Sequence, residues 1–353
     1  MGKGTKVGAL LLVMVFVGSM AATAWGQASR PSTLADLAKY AGADRERILY
    51  EGAKKEGRLV WYTSLVPSKE MAKVFESKYP GVKVEVYRAS GMELLNKASS
   101  EAKAKRYIAD TIESTPGTLM SLRDEQFFIP YHSPYLKSYP DRAKEKATGG
   151  LVFWTTDRES YIGVAYNKNA IRPSDVPKKF DDLLKAGLKG KMAASNDESS
   201  ARQLGAMIRA KGEAFVRKLK DQEVTLQAET GPGFNELIVT GEVPISFVGF
   251  STNVTHSAAK GAPVAWVPME LNVANAGGVG ISAHAPHPNA GMLLLDFLIS
   301  PAGQKMLTET FAYGSAAKEY GFDKWYPEKG LTTTEYIDKT EKWMKILREI
   351  GHK

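Results

Sequence analysis

The sequence predicts an α/β protein of two lobes. Two observations carry that expectation: strand and helix patterns alternate from Leu59 onward, and a 353-residue chain exceeds what one hydrophobic core usually organises. The absence of cysteine removes disulfides, thiol catalysis and Cys-type zinc sites together and leaves the fold to rest on its apolar core.

A helical preface runs from Leu34 to Lys55. Leu59-Val60-Trp61-Tyr62 then reads as a strand that ends in the polar turn Thr63-Ser64. Met71, Val74, Phe75 and Tyr79 fall on one helical face, and Tyr79-Pro80-Gly81 stops that helix. Val82, Val84 and Val86 alternate with Lys83, Glu85 and Tyr87, the pattern of a strand with one apolar face. The next helix spans Gly91 to Lys105 with Leu94, Leu95, Ala98 and Ala102 inward, and a short strand covers Ala109 to Ile112. Strand, helix, strand in this order implies parallel strands joined by right-handed crossovers.

The second lobe is expected near Gly150, after the turn-rich stretch Tyr131 to Gly149. Strands at Leu151–Trp154 and Tyr161–Tyr166 precede a helix at Phe180–Leu184 and a strand at Lys191–Ala194. The loop from Ser195 to Ser200 leads into an amphipathic helix bearing Leu204, Met207 and Ile208. A strand at Pro244–Val248, a return strand at Gly278–Ser282 and helices at Asn289–Ile299 and Pro301–Phe311 follow. In the tail, Thr334 to Ile350, the stripe of Tyr336, Thr340, Trp343, Met344 and Leu347 reads as core packing. The expected division is an export signal at 1–28, a first lobe at 29–150, a second lobe at 151–270, and a return to the first lobe at 271–353 whose C-terminal helices pack partly on the second.

Lys3 and Lys6 followed by an uncharged run from Val7 to Ala24 have the form of a secretory signal. Ala22-Thr23-Ala24 and Gly26-Gln27-Ala28 both fit the small-residue cleavage rule, so the cut is expected after Ala24 or Ala28. The alternative is a membrane anchor, for which a run of about eighteen residues is near the lower limit. Removing the signal takes two lysines from the formal charge of +8. The remaining positive charge is spread without basic blocks, which suits solubility or capture of small anions and gives little support for nucleic acid.

Ligands of open α/β sheets sit beyond the carboxyl ends of the strands. Thr63 and Ser64, then Arg88 and Ser90, then Ser114 and Thr115 occupy three successive strand ends. A single hydroxyl there is most often a helix cap. Three in succession, one with an arginine, describe a polar cleft edge suited to an anion. Ser199 and Ser200 stand where a helix start offers free amides, unless Asp197 and Glu198 cap them. Ser251 and Thr252 follow Gly249-Phe250 at another strand end, and Tyr62 and Phe250 are candidates for an apolar wall or for core.

Catalytic signatures are missing. Gly249-Phe250-Ser251 starts like a nucleophile elbow, but Asn253 stands where the second glycine belongs. Prolines hold His284 and His287 in an extended segment without helical metal spacing. Asp181-Asp182 suits a helix start, and Asp197-Glu198 lacks a defined partner. No catalytic residue, cofactor or metal is therefore expected.

Several segments resemble the extracellular solute-binding proteins of ABC importers, in the branch containing the ferric-iron-binding proteins. They are Leu59-Val60-Trp61-Tyr62-Thr63-Ser64, Phe75-Glu76-Ser77-Lys78-Tyr79-Pro80-Gly81-Val82-Lys83-Val84, Ala165-Tyr166-Asn167, Gly241-Glu242-Val243-Pro244 and Ala285-Pro286-His287-Pro288-Asn289-Ala290, the last leading into Asp296-Phe297-Leu298-Ile299-Ser300-Pro301-Ala302-Gly303-Gln304. The resemblance implies a two-lobed type II periplasmic-binding-protein fold, with two open mixed sheets, flanking helices and a hinge of crossing strands. It implies a monomer in the periplasm that closes on a small-molecule solute and presents it to an ABC permease of the inner membrane. The histidine, glutamate and paired tyrosines of ferric-binding members fall here near Ser68, near Thr115 and on Ser251-Thr252. Hydroxyls are poor ligands for a hard trivalent cation and good donors to phosphate, phosphonate or carboxylate. The expected solute is accordingly a small anionic organic or phosphorus-containing molecule, with ferric iron or an exported hydrolase as the alternatives.

Overall fold

The computed structural model describes residues 1, 2, 4, 31 and 33–352. Almost all of the expected export signal lies outside the described residues. Twelve strands are present among the described residues: β1 Arg58–Thr63, β2 Lys83–Arg88, β3 Thr111–Ser114, β4 Lys144–Lys146, β5 Val152–Asn167, β6 Met192–Ser195, β7 Val224–Gln227, β8 Ile245–Phe250, β9 Val264–Val267, β10 Asn272–Ile281, β11 Lys324–Trp325 and β12 Gly351–His352. Hydrogen bonding orders them β12-β7-β6-β8-β5-β10-β3-β1-β2, with β4 and β9 beside β5 and β11 beside β10.

In the first half β1 pairs in parallel with both β2 and β3, as the strand–helix–strand order requires. In the second half β6 pairs in parallel with β7 and β8. The two halves share β5 and β10, long antiparallel strands that run from one core into the other. These are the crossing strands of a two-lobed α/β fold. One core gathers Trp61, Phe75, Tyr131 and the helix Pro288–Ile299; the other gathers Phe180, Leu204, Phe247 and Leu347.

Local chemistry explains where the structure departs from the sequence pattern. The helical preface is two helices, Leu34–Lys39 and Arg45–Glu56. Arg45 Nη1 donates to the carbonyls of Leu37 (2.7 Å) and Tyr40 (2.8 Å), satisfying acceptors where the first helix ends, so the chain can turn between the two helices. The same guanidinium meets Asp296 through Nε at 2.7 Å and ties the preface to the buried helix Pro288–Ile299. The Glu56 carboxylate accepts from the amides of Asn289 (3.1 Å) and Ala290 (2.8 Å), capping that helix where Pro288 supplies no N–H.

The strands expected at Leu151–Trp154 and Tyr161–Tyr166 are one strand, β5. Its centre, Thr155 to Ser160, is polar and buried throughout. Distant segments satisfy part of it: Glu159 receives the Lys324 ammonium at 3.1 Å and the Tyr326 hydroxyl, with the nearby Tyr161 hydroxyl beside them. The return strand likewise begins earlier than its apolar pattern, at Asn272, because Asn272 is held by the Met269 and Asp323 backbone. Beyond Lys305 the second late helix widens into a π-turn at Met306–Thr310.

The C-terminal helix Thr333–Ile350 lies along the helix Glu198–Lys211 and buries Ile346, Leu347 and Ile350 in the second core. Its first turn reaches the first half, where Thr333 Oγ1 bonds Asp124. Among the described residues no helix is long and apolar enough to cross a membrane.

Candidate functional site

The carboxyl ends of β1, β3 and β8 border a seam between the halves. At its mouth is a cleft of about 420 Å³, walled on one side by Val66, Pro67, Glu70, Phe311 and Tyr313 and on the other by Asn235, Glu236, Thr252, Asn253, His256 and Lys260. Asn235 and Thr252 are more than nine-tenths buried, and Asn235 Oδ1 and Thr252 Oγ1 have no hydrogen-bond partner.

The Tyr313 ring of the cleft wall lies 5.6 Å from the Arg158 guanidinium. Arg158 pairs with the fully buried Glu113, Nη2 to Oε1 at 2.8 Å, and donates to Ser64 Oγ at 2.9 Å. The other Glu113 oxygen is saturated: it accepts from Thr63 Oγ1 (2.6 Å), the Ser64 amide (2.9 Å) and the Leu65 amide (2.9 Å). The β1 turn is thereby nailed to β3, and Thr63 is spent on it. Beside the pair, burial and then the Glu113 charge push the Asp157 carboxyl well above the usual carboxylate range. Gly277 lies opposite Arg158 in the β5–β10 ladder; a Cβ there would stand 2.3 Å from Glu113 Oε1 and 2.7 Å from Arg158 Cζ, so the ion pair occupies the space a side chain would need.

Farther along the seam the helices Pro116–Asp124 and Glu198–Lys211 begin on opposite sides of Tyr336. The Tyr336 ring stands 3.3 Å from the Cβ position of Gly117, and its hydroxyl donates to Glu198 Oε1 at 2.9 Å. Arg202, one turn into the second helix, is 5% exposed. Its nearest carboxylate, Glu198, is 3.8 Å away with a half-exposed side chain, and Arg202 Nε has no partner. Gln203 beside it is fully buried with both amide atoms unpartnered. Ser160 Oγ and Asn275 Oδ1, opposite each other in the β5–β10 ladder, are also unpartnered.

The hydroxyls singled out from the sequence divide into three kinds. Ser114, fully buried with a free Oγ, and Thr115, at a helix start whose amides it does not cap, lie beside Gly91 of the same half, and Thr252 lines the cleft. Ser64, Ser199, Ser200 and Ser251 lie at the seam but are engaged: Ser199 accepts from Arg202 (3.4 Å), Ser200 shares a bond with Ser195 (3.0 Å), and Ser251 accepts from the Tyr161 amide (3.0 Å). Asp197 accepts from the Ser200 amide at 3.1 Å, the capping arrangement that competes with a free anion site there. Ser90 caps the helix Gly91–Lys103, and the side chain of Arg88, at the end of β2, is exposed with no hydrogen bond or ion pair. Tyr62 is core: its hydroxyl bonds Glu101 at 2.8 Å, and burial raises its pKa well above the usual tyrosine value. Phe250 is half-buried against the second core.

Arg158 and Arg202 were not singled out. The signal for Arg158 is Asp157-Arg158-Glu159 set between two apolar strand patterns, where a charge must find a buried partner; Arg202 carries no comparable signal. Among the described residues no group of three or more His, Asp or Glu side chains is placed to hold a metal ion.

Comparison with solved structures finds the same architecture. The iron-bound HitA of Pseudomonas aeruginosa is similar with a TM-score of 0.65 at 19% identity, covering 84% of this chain and 99% of that one. The periplasmic binding protein AfuA of Actinobacillus pleuropneumoniae, with fructose-6-phosphate bound, gives 0.65 at 20% identity over 84% and 99%. A substrate-binding protein of an ABC transporter from Agrobacterium tumefaciens gives 0.69 at 15% identity over 84% and 97%. At these identities the likeness shows the fold, a type II periplasmic-binding-protein fold. No curated protein matches the chain in sequence. The model of the bacterial extracellular solute-binding proteins matches residues 70–334, three quarters of the sequence, and the chain belongs to that family.

Proposed function

We propose that the protein captures a small anionic organic or phosphorus-containing solute in the seam between its lobes and delivers it from the periplasm to the membrane permease of an ABC importer. The lobes are read as 29–150 with the return 271–353, and 151–270. One observation carries the choice of an anion: the Arg202 guanidinium is buried at the seam, its Nε is unsatisfied, and no carboxylate is within 3.5 Å. A buried charge whose ion pair is long and half exposed, as with Glu198 at 3.8 Å, is poorly compensated, and an anionic solute supplies a closer partner. Ser114 Oγ, Thr252 Oγ1 and Arg158 Nε add buried donors with no acceptor. A solute that touches both lobes binds the closed arrangement better than the open one and shifts the population toward it, so a permease reads occupancy as shape.

The test is a thermal-shift screen of the purified protein against organic phosphates, phosphonates, carboxylates, neutral sugars, amines and ferric citrate, followed by calorimetry of the hits. Anions alone should raise the melting temperature, because a ligand that binds only the folded state stabilises it by mass action. Neutral sugars or amines as the best ligands, chelator-sensitive stabilisation by ferric salts, or chemical turnover of a hit would each overturn the reading.

A further inference from the structure

Gly91 opens the helix Gly91–Lys103 with an ordinary backbone angle, so its φ does not require glycine. Space does. A Cβ at Gly91 would stand 2.7 Å from Thr118 Oγ1, 3.1 Å from Thr115 Oγ1 and 3.4 Å from Ser114 Oγ. Three hydroxyls, from the end of β3 and the start of the helix after it, therefore gather on the side of Gly91 where any other residue would carry its side chain.

The turn after β3 starts the helix Pro116–Asp124. Thr115 stands at its N-cap in extended conformation without bonding any helix amide, the first turn holds no acid, and Pro116 has no N–H. The amides of Gly117 and Thr118 are its leading free donors. Ser114 Oγ, fully buried and unpartnered, lies on that side of Gly91. Glu93 on the neighbouring helix turns its carboxylate back onto the Ser90 amide and hydroxyl, both at 2.9 Å, where it caps its own helix.

We infer that these groups form the subsite for a tetrahedral oxyanion, the phosphoryl or phosphonyl end of the solute. The inference rests on the anion-receptor reading above and narrows it. Three hydroxyls and two amides match the three oxygens of a phosphoryl group better than the two coplanar oxygens of a carboxylate. Tyr336, which touches Gly117 and bonds Glu198 beside Arg202, puts the guanidinium one side chain farther along the same seam. An extended solute thus meets one lobe through its phosphoryl end and the other through Arg202.

Calorimetry with phenylphosphonate and benzoate, which share an organic part, tests the subsite. Phenylphosphonate should bind the parent protein more tightly, by about tenfold, and Ser114→Ala and the isosteric Thr118→Val should each weaken it by about tenfold, the scale of one lost charge-assisted bond. Thr118→Ser should restore it, Gly91→Ala should abolish it by filling the cradle, and benzoate should respond to none of these changes. Equal affinity for the two probes, or phenylphosphonate binding that survives Thr118→Val, overturns the subsite while leaving the anion reading in place. If neither probe binds the parent and no other anion does, both readings fall. Should Gly91→Ala not fold, the isosteric Thr118→Val decides.

Discussion

The Tyr336 hydroxyl donates to Glu198 at 2.9 Å while the Tyr336 ring rests against Gly117, so a single side chain of the C-terminal helix touches both halves of the molecule. Tyr336→Phe keeps the ring and removes the bond. With Glu198 half exposed, the loss of stability should be at the lower end of about 0.5–1.5 kcal/mol in urea unfolding. The larger effect should be on solute dissociation, which should quicken in stopped-flow measurements because one contact between the halves is gone.

Arg202 should dominate affinity without dominating stability. Arg202→Met removes a buried charge and keeps most of the apolar stem, so anion binding should weaken by about 1.5–3 kcal/mol while the melting temperature holds or rises. A variant that binds anions as tightly as the parent would remove the basis of the proposed function.

Glu113 has the opposite profile. It neutralises Arg158 and accepts four bonds from the β1 turn, so Glu113→Ala leaves a buried guanidinium unpaired and frees the turn. The expected cost is about 3–5 kcal/mol, measured by equilibrium denaturation. Glu113→Ala with Arg158→Met should recover much of it, since the uncompensated charge is then removed as well.

Acid sensitivity has a traceable contributor in Glu46. Lys78 Nζ (2.9 Å) and the Tyr79 hydroxyl (2.7 Å) both donate to it and hold its carboxyl below the usual glutamate value. A carboxylate with a depressed folded pKa stabilises above its unfolded pKa and loses that contribution as pH falls through the folded pKa. Glu46→Gln should therefore be less stable than the parent at neutral pH. The difference should begin to shrink as pH falls to the ordinary glutamate value, about 4.3, and disappear only below the depressed folded value.

How much of this was legible in the sequence depends on where each residue finds its partners. The elements from β1 to β3 follow the period of their apolar residues because each buries one face against its neighbours. Thr155 to Ser160 reads as a break between strands because what satisfies it is remote: Glu113, Lys324 and Tyr326 meet it only in the folded chain. The site divides the same way. Ser114 and Thr252 follow from their places at strand ends, whereas Arg202 looks like an ordinary helix-surface arginine until the helix Thr333–Ile350 covers it. Ser90, at an equally suggestive strand end, is taken by its own helix.

The order in which chain segments enter the first core sets a further constraint. Leu37, Trp61 and Phe75 surround a helix, Pro288–Ile299, that arrives more than two hundred residues later, and Val279 and Ile281 of the same core arrive with it. A nascent chain that has emerged only as far as residue 270 lacks the centre of its first core and cannot lock it. Contacts of such sequence separation slow folding, because a long loop must close before burial repays it. A polypeptide threaded outward through a membrane benefits from that delay, since its leading portion stays pliable until the trailing portion has followed.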